Sequence, residues 1–315
     1  MKRFRRLLLF SGTEDNGTFA LQRACQLAQE NDARLTILDV LKPPPAYAQL
    51  ALAFSGSVQE MHRDILLGRT EHLKEICAQQ IPDDVRYSVQ VVSGSPATEI
   101  VRTVLRDNYD LVLKTADGGG ILKRTLFGST AMDLLRTCPC PVWILRPDRT
   151  PDFDRIVAAV DVDATGPGAE LNDAVLEISA ALAKLENAEL HIVHAWELWM
   201  EQLLRNRSRL REEDLQSMLK EKHDQVQADF QALLQKHNLN NDKVASHLIK
   251  GSPGFTVPEF VLQQQADLLV MGTVCRTGIK GLLIGNTAET ILNDVNASVL
   301  ALKPNGFRSP IALDD

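Results

Sequence analysis

An internal repeat constrains this chain more than any other feature of its sequence. The motif Gly94-Ser95-Pro96 recurs as Gly251-Ser252-Pro253, 157 residues later. The same spacing relates further pairs: Asp110-Leu111 with Asp267-Leu268, Gly128 with Gly285, Thr130-Ala131 with Thr287-Ala288, and Pro147 with Pro304. A spacing that stays constant over so long a stretch, with identities at Gly, Pro and Asp, indicates that one structural unit is duplicated.

The front parts of the two repeats match at a slightly shorter spacing. Residues 33–38 resemble residues 188–193, which lie 155 positions later. The two-residue difference therefore falls in the variable stretches near 41–90 and 196–247. The 315 residues suit two domains of about 150 residues each. We predict domains at 1–147 and 152–304, joined by a short charged linker between prolines and followed by a polar tail at 305–315.

Each half alternates short apolar strands with amphipathic helices in the same order. The first half predicts strands at 6–10, 35–40, 85–92, 111–114 and 142–145, and helices at 18–31, 58–80, after Gly94-Ser95-Pro96 and at 130–136. The second half predicts strands at 156–160, 190–195, 244–249, 268–271 and 299–302, and helices at 172–185, 211–237, after Gly251-Ser252-Pro253 and at 287–293. The predicted fold class is α/β: two tandem doubly wound domains, each with a five-stranded parallel sheet covered by helices on both faces.

Charge and hydropathy exclude several classes of function. The net charge is −7, which argues against a general electrostatic grip on nucleic acid or on an anionic membrane. No apolar run reaches the ~18 residues of a membrane span. The apolar stretch at 7–10 is shorter than the ~7–15 residues of a signal-peptide core. Five cysteines without framework spacing suit a reducing compartment, so we expect a cytoplasmic protein.

The sequence offers little for catalysis or for a metal. Cys138-Pro139-Cys140 has no second Cys/His pair at ligand spacing, so we expect no metal site. No Ser-His-Asp, Cys-His or Gly-x-Ser-x-Gly arrangement accompanies the loops described below. We therefore assign no catalytic residue and expect at most a slow ATPase. His194, near the end of a strand, lines the pocket or, in the favoured interpretation, is a satisfied buried histidine.

Two loops of the second half are candidates for ligand binding, because doubly wound sheets bind ligands at the carboxyl ends of their strands. Asp161 follows the first strand, and the stretch 272–287 follows the fourth. Glycines let backbone N–H groups approach an anion, and Gly285-Asn286-Thr287 opens a helix whose free N–H groups favour negative charge. Arg276 and Lys280 add positive charge. The alternatives are a tight strand-to-helix connection and, at Asp161, an ordinary turn former.

These residues resemble the nucleotide-binding members of the universal stress protein family. Those members carry Gly, two residues, Gly, nine residues, then Gly followed by Ser, Thr or Asn. Gly272, Cys275 and Gly285-Asn286 keep this spacing, with Cys275 in place of the middle glycine, where its Cβ and sulfur crowd a phosphate. The resemblance implies an adenine nucleotide alpha hydrolase-like fold, ATP with Mg²⁺ as ligand, and contact between Asp161 and adenine. The nucleotide-binding candidates are Asp161, Gly272, Cys275, Arg276, Gly285, Asn286 and Thr287.

The first half keeps the same motif in degenerate form. Thr115 stands where the second half has Gly272, Gly118 matches the middle position, and Gly128-Ser129 matches the last. Ser11 is assigned to the position of Asp161, which removes the carboxylate. We therefore expect the first domain to bind nucleotide weakly or not at all.

The resemblance covers essentially the whole chain and is greatest for the tandem E-type members, on the two domains, the run 272–278 and the Leu-Asp-Asp tail. One hypothesis is a stress-response protein whose second domain binds ATP or a related nucleotide as a switch. The other is an interaction protein that uses its clefts for a small apolar ligand or a protein partner. The duplication predicts an intramolecular pseudo-dimer and leaves further homodimer formation open.

Overall fold

The computed structural model describes residues 4–12, 17–43, 58–116, 127–147, 152–207, 211–239, 243–273 and 284–313. By their internal contacts, these residues form two compact units. The second unit is Asp152–Gly306, and the first unit contains the residues before it together with 307–313.

The first unit contains five parallel strands connected by four described helices. In chain order they are β1 (Arg6–Phe10), α1 (Gly17–Asn31), β2 (Arg34–Leu41), α2 (Val58–Gln80), β3 (Arg86–Ser93), α3 (Pro96–Asp107), β4 (Leu111–Thr115), α4 (Gly128–Thr137) and β5 (Val142–Leu145). The strand order is β3-β2-β1-β4-β5. The order reverses direction beside β1, so the carboxyl end of β1 lies at the switch point.

The second unit repeats this arrangement, with one additional short helix. Its elements are β6 (Arg155–Ala159), α5 (Pro167–Glu186), β7 (Glu189–Trp196), α6 (Glu201–Arg207), α7 (Glu212–Lys236), β8 (Val244–Lys250), α8 (Pro253–Gln263), β9 (Leu268–Gly272), α9 (Asn286–Asp294) and β10 (Ser298–Leu302). Its strand order is β10-β9-β6-β7-β8, with parallel pairing throughout. The predicted fold class, two tandem doubly wound five-stranded domains, is confirmed.

The repeated aspartates serve the same purpose in both units. Asp110, just before β4, accepts hydrogen bonds from the backbone N–H groups of Arg5 and Arg6 at 2.7 and 3.1 Å. Asp267, just before β9, accepts from Asp154 and Arg155, both at 3.0 Å. Each aspartate therefore joins the amino ends of the first and fourth strands of its own unit, which explains why this residue recurs in the repeat.

The structure extends one predicted element and adds another. Helix α5 begins at Pro167, five residues before the predicted start, so Asn172 lies inside the helix. The separate helix α6 was not predicted. Among the described residues, no helix is both long enough and apolar enough to cross a membrane.

Candidate functional site

Asp161 and Gly272 leave neighbouring strands at the switch point of the second sheet. Strands β6 and β9 pair with Ala159 opposite Met271. Gly272 is the last residue of β9, and Asp161 follows the end of β6 by two residues. The carboxyl ends of these strands thus bring together the two loops that the sequence singled out, at the edge where doubly wound sheets bind ligands.

The backbone of Asp161 is held by the side chain of Asn172. The Asp161 N–H donates to Asn172 Oδ1 at 3.0 Å, and Asn172 Nδ2 donates to the Asp161 carbonyl oxygen at 2.8 Å. Asn172 is 7% exposed and belongs to α5. One buried carboxamide therefore pairs with both polar backbone groups of a single residue.

Two further side chains hold the residues on either side of Asp161. His194, buried on β7, lies with Nδ1 3.0 Å from the carbonyl oxygen of Val160, so Nδ1 carries the hydrogen in this contact. Lys222 of α7 donates to Asp163 Oδ1 at 2.8 Å. The loop that follows β6 is therefore fixed from α5, β7 and α7, and His194 has a structural contact, as the favoured interpretation expected.

Gly272 is placed against the first turns of α5. A Cβ at this position would lie 2.3 Å from Leu171 Cδ2 and 2.8 Å from Leu171 Cγ. Because Leu171 is itself buried, its side chain has little room to move. Glycine is therefore required here by helix-to-sheet packing, a role that the sequence-based interpretation, which gave this residue to a phosphate, did not include.

The predicted helix start at Gly285-Asn286-Thr287 is present as the beginning of α9. Gly285 is the N-cap residue, in an extended conformation (φ −73°, ψ 145°), and no side chain caps the helix. Gly285 is buried, whereas Asn286 and Thr287 are exposed. The first N–H groups of α9 thus have no side-chain cap, and such groups favour an anion. The other two candidates, Cys275 and Arg276, lie outside the described residues.

Backbone pairing corrects the equivalence between the two units. The N–H of Ser11 donates to the Leu38 carbonyl, and the N–H of Val160 makes the same contact with Val193, each at 3.0 Å. Ser11 therefore matches Val160, and Gly12, not Ser11, matches Asp161. The prediction was wrong by one residue because it aligned the predicted strand starts at 6 and 156, whereas the observed register pairs Arg6 with Arg155. The first unit still lacks a carboxylate at this position.

The first unit places an ion pair where the second has His194 and an aliphatic residue. By strand register, Asp39 of β2 matches His194. Asp39 is fully buried, and Arg69 Nε of α2 donates to its Oδ2 at 2.6 Å. Arg69 precedes the buried Leu73 by four residues, as Val226 precedes the buried Phe230, so Arg69 matches Val226.

The last glycine of the motif also differs between the units. Gly128 has φ +71°, whereas Gly285, its repeat equivalent, has φ −73°. Helix α4 consequently begins at Gly128 itself, with Phe127 as its N-cap residue. The two helix starts do not present the same backbone to a ligand, in agreement with the degenerate motif of the first half.

The thiols of the first unit are poorly suited to chemistry. Burial raises the pKa values of Cys25 and Cys77 to about 11. The Sγ atoms of Cys138 and Cys140 lie 3.6 Å apart, and the hydrogen bond between them, together with burial, raises the pKa of Cys140 well above its ordinary value. Protonated buried thiols are weak nucleophiles and weak metal ligands. In the described residues, no group of three or more His, Cys, Asp or Glu side chains is arranged to hold a metal.

Sequence comparison agrees with the duplicated fold. The sequence model of the universal stress protein family matches residues 3–146 and again 152–303. This chain belongs to the universal stress protein family. It is a tandem, two-domain member of the family, similar to the E type.

Relatives match along the entire chain. Universal stress protein E of Escherichia coli K12 is 27% identical over 322 residues, which cover 100% of this chain and 99% of the relative. A universal stress protein E homolog of Haemophilus influenzae is 26% identical over 309 residues, covering 96% and 98%. The fold is shared with a protein of unknown function from Pseudomonas aeruginosa PAO1, with a TM-score of 0.70, 23% identity, and coverage of 96% of this chain and 93% of that one.

Sequence reasoning missed three of the residues that hold the site loops, namely Leu171, Asn172 and Lys222. The sequence signal for Asn172 was weak: a single carboxamide on the apolar face of a helix, close behind a strand-end aspartate. Lys222 lies in a run of mixed charges that reads as a solvated helix face. Neither residue belongs to the glycine motif, so motif spacing could not reveal them.

Proposed function

We propose that this universal stress protein binds ATP or a related adenine nucleotide in its second domain, residues 152–304, and responds to it as a switch in the cytoplasm. The observation that carries the proposal is the placement of Asp161 beside Gly272 at the switch point of the second sheet. The start of α9 at Gly285, which has no side-chain cap, supplies a second element suited to an anion.

Each candidate residue suits one part of a nucleotide. The Asp161 carboxylate accepts hydrogen bonds, as recognition of an exocyclic amine or a ribose hydroxyl requires. The N–H groups at Gly285, Asn286 and Thr287, with the two polar side chains, suit phosphate oxygens. Mg²⁺ would be held mainly by those phosphates, because Mg²⁺ commonly binds through one or two carboxylates and substrate phosphates. Cys275 and Arg276 remain candidates for the phosphate side of the site.

The first domain, residues 1–147, suits a different role. It has Gly12 in place of Asp161, and the Arg69–Asp39 ion pair lies at the ends of its first two strands. We propose that this domain binds adenine nucleotide weakly or not at all. Its cleft is the part of the chain that best fits the alternative function, an interaction with a small apolar ligand or a protein partner.

Calorimetric titration with Mg·ATP tests the proposal. We expect micromolar binding to the full chain, lost in Gly285→Val and weakened in Asp161→Asn. Asp229→Asn is the matched control, because it removes an exposed carboxylate of the same domain that accepts a hydrogen bond from Gln225 on its own helix. Failure of the folded wild-type chain to bind ATP would contradict the nucleotide function and favour the interaction protein.

A further inference from the structure

Asn172 directs both polar atoms of its side chain toward one neighbour. Its Oδ1 and Nδ2 atoms contact the N–H and carbonyl oxygen of Asp161, at 3.0 and 2.8 Å, across eleven residues of sequence. The side chain is nearly enclosed, so these contacts are its protein partners in place of water. Asparagine in a helix interior is a weak helix former, which indicates that this contact, not helix stability, suits it to the position.

This pairing restricts what Asp161 can offer to a ligand. A residue just beyond the end of a strand has an N–H and a carbonyl that no strand partner satisfies. Both groups are engaged by Asn172, and the carbonyl also accepts from the Ala164 N–H at 3.1 Å, so the backbone of Asp161 is fixed. The same pairing limits the directions in which the Asp161 side chain can leave the backbone.

The first unit has other residues in place of both Asp161 and Asn172. Helices α1 and α5 are followed by matching residues in the left-handed conformation, Asp32 at φ 50° and Asn187 at φ 54°. This alignment puts Gly17 opposite Asn172, and strand register puts Gly12 opposite Asp161. The unit without the carboxylate thus also lacks the carboxamide, as expected if the carboxamide serves the carboxylate.

We propose that Asn172 is a positioning residue, which fixes the backbone of Asp161 so that its carboxylate meets the nucleobase. This inference rests on the proposed function of the second domain. The positioning role of Asn172 is separate from the attachment of α5 to the sheet, because Leu171 already packs against Gly272 on the same turn of the helix. A purely structural role for Asn172 would affect every ligand of the cleft alike, whereas a positioning role affects only ligands that carry a base.

The test compares Mg·ATP with inorganic tripolyphosphate, which has the phosphates and no base. We expect Asn172→Ala to weaken ATP binding by about tenfold, in line with the loss of one well-placed hydrogen bond, and to leave tripolyphosphate affinity unchanged. Ser179→Ala is the matched control: Ser179 is a buried polar residue of the same helix whose Oγ bonds only to the Val175 carbonyl, at 2.7 Å. It should change neither affinity.

A double-mutant cycle assigns the effect to Asp161. In an Asp161→Asn background, Asn172→Ala should cause little further loss of ATP affinity, since the group that it positions is already altered. Additive losses, or equal losses for ATP and tripolyphosphate, would overturn the positioning role while the proposed function stands. If the wild-type chain binds neither ligand, both proposals fail. Circular dichroism verifies folding, and Asn172→Leu, which keeps the branching of the side chain, replaces Asn172→Ala if that variant unfolds.

Discussion

Arg69 joins the carboxyl ends of the first two strands of its unit: its Nε lies 2.6 Å from the buried Oδ2 of Asp39, and its Nη2 lies 3.4 Å from the Gly12 carbonyl oxygen. The guanidinium is partly exposed and the carboxylate is not, so the arginine lies between Asp39 and the solvent. In the second unit Val226 stands in place of the arginine and His194 in place of the aspartate.

Removing the arginine alone should destabilise the first unit strongly. We expect Arg69→Val to cost about 3–5 kcal/mol of unfolding free energy, because a buried carboxylate loses its counter-charge. Urea unfolding measures the loss of unfolding free energy. Hydrogen exchange of the backbone amides of β1 and β2 shows whether the loss lies in this unit. The double variant Asp39→His with Arg69→Val, which copies the second unit, should cost clearly less. Equal costs for the single and double variants would show that the ion pair is not the source of stability.

Adding one methyl group at Gly272 should disturb the packing of α5. We expect Gly272→Ala to cost about 1–3 kcal/mol, because the new Cβ would overlap Leu171 at 2.3 Å. Leu171→Ala introduced in the same chain should recover part of this loss by making room, although it opens a space of its own. Thermal unfolding of the wild type, the two single variants and the double variant gives the coupling. Simple additivity of the two costs would contradict the proposed contact.

The opposite result is expected at Gly68 in the middle of α2. A Cβ there would meet no atom within 4 Å, so alanine adds no clash. Alanine favours the helix over glycine by about 0.5–1 kcal/mol, and Gly68→Ala should therefore stabilise the first unit by that amount. A destabilised Gly68→Ala variant would mean that this stretch of α2 is not the regular helix described above.

The second unit should lose stability below neutral pH through His247. Burial, followed by the neighbouring His191 at 3.2 Å, lowers the pKa of His247 from its ordinary value of about 6.5. The unfolded chain then binds more protons than the folded one, so stability falls as pH drops below that ordinary value and levels off once the lowered pKa is passed. The group is faced by His191, Phe260 and, through His191, Glu189.

His247→Gln tests this expectation. Melting temperatures of wild type and variant between about pH 7 and about pH 5 should diverge, with the wild type losing more on acidification. The decisive quantity is the slope of stability against pH, which is insensitive to any constant cost of the substitution. Identical slopes for the two chains would exclude His247 as the source of the acid sensitivity.

Much of the fold follows from the sequence, because strand burial and helix periodicity are local signals. Strands β1 and β5 and helix α2 have the predicted bounds. Helix α5 began earlier than predicted, since Gly166 and Gly168 resemble a loop although Pro167 is well suited to open a helix. The repeat predicts the order of strands and helices in the second unit, apart from the additional helix α6.

Only part of the candidate site could be predicted from the sequence. Asp161 and Gly272 could be predicted because strand ends and glycine spacing mark them. The contacts that determine their geometry join residues far apart in sequence: Asn172 to Asp161, and Arg69 to Asp39. Such pairs leave no periodic trace, and an arginine in a mixed-charge helix looks the same whether it faces solvent or a buried carboxylate.

The aspartates that open the fourth strand of each unit have a consequence for how the two halves can diverge. Asp110 and Asp267 join the amino ends of the strands in both units, whereas the differences at Gly12, Asp39 and Arg69 lie toward the carboxyl ends. The contacts that the two units share and these differences thus lie at opposite edges of each sheet. A protein with two such copies can therefore change the residues at the carboxyl ends of one sheet while the aspartate contacts that join its strands stay unchanged.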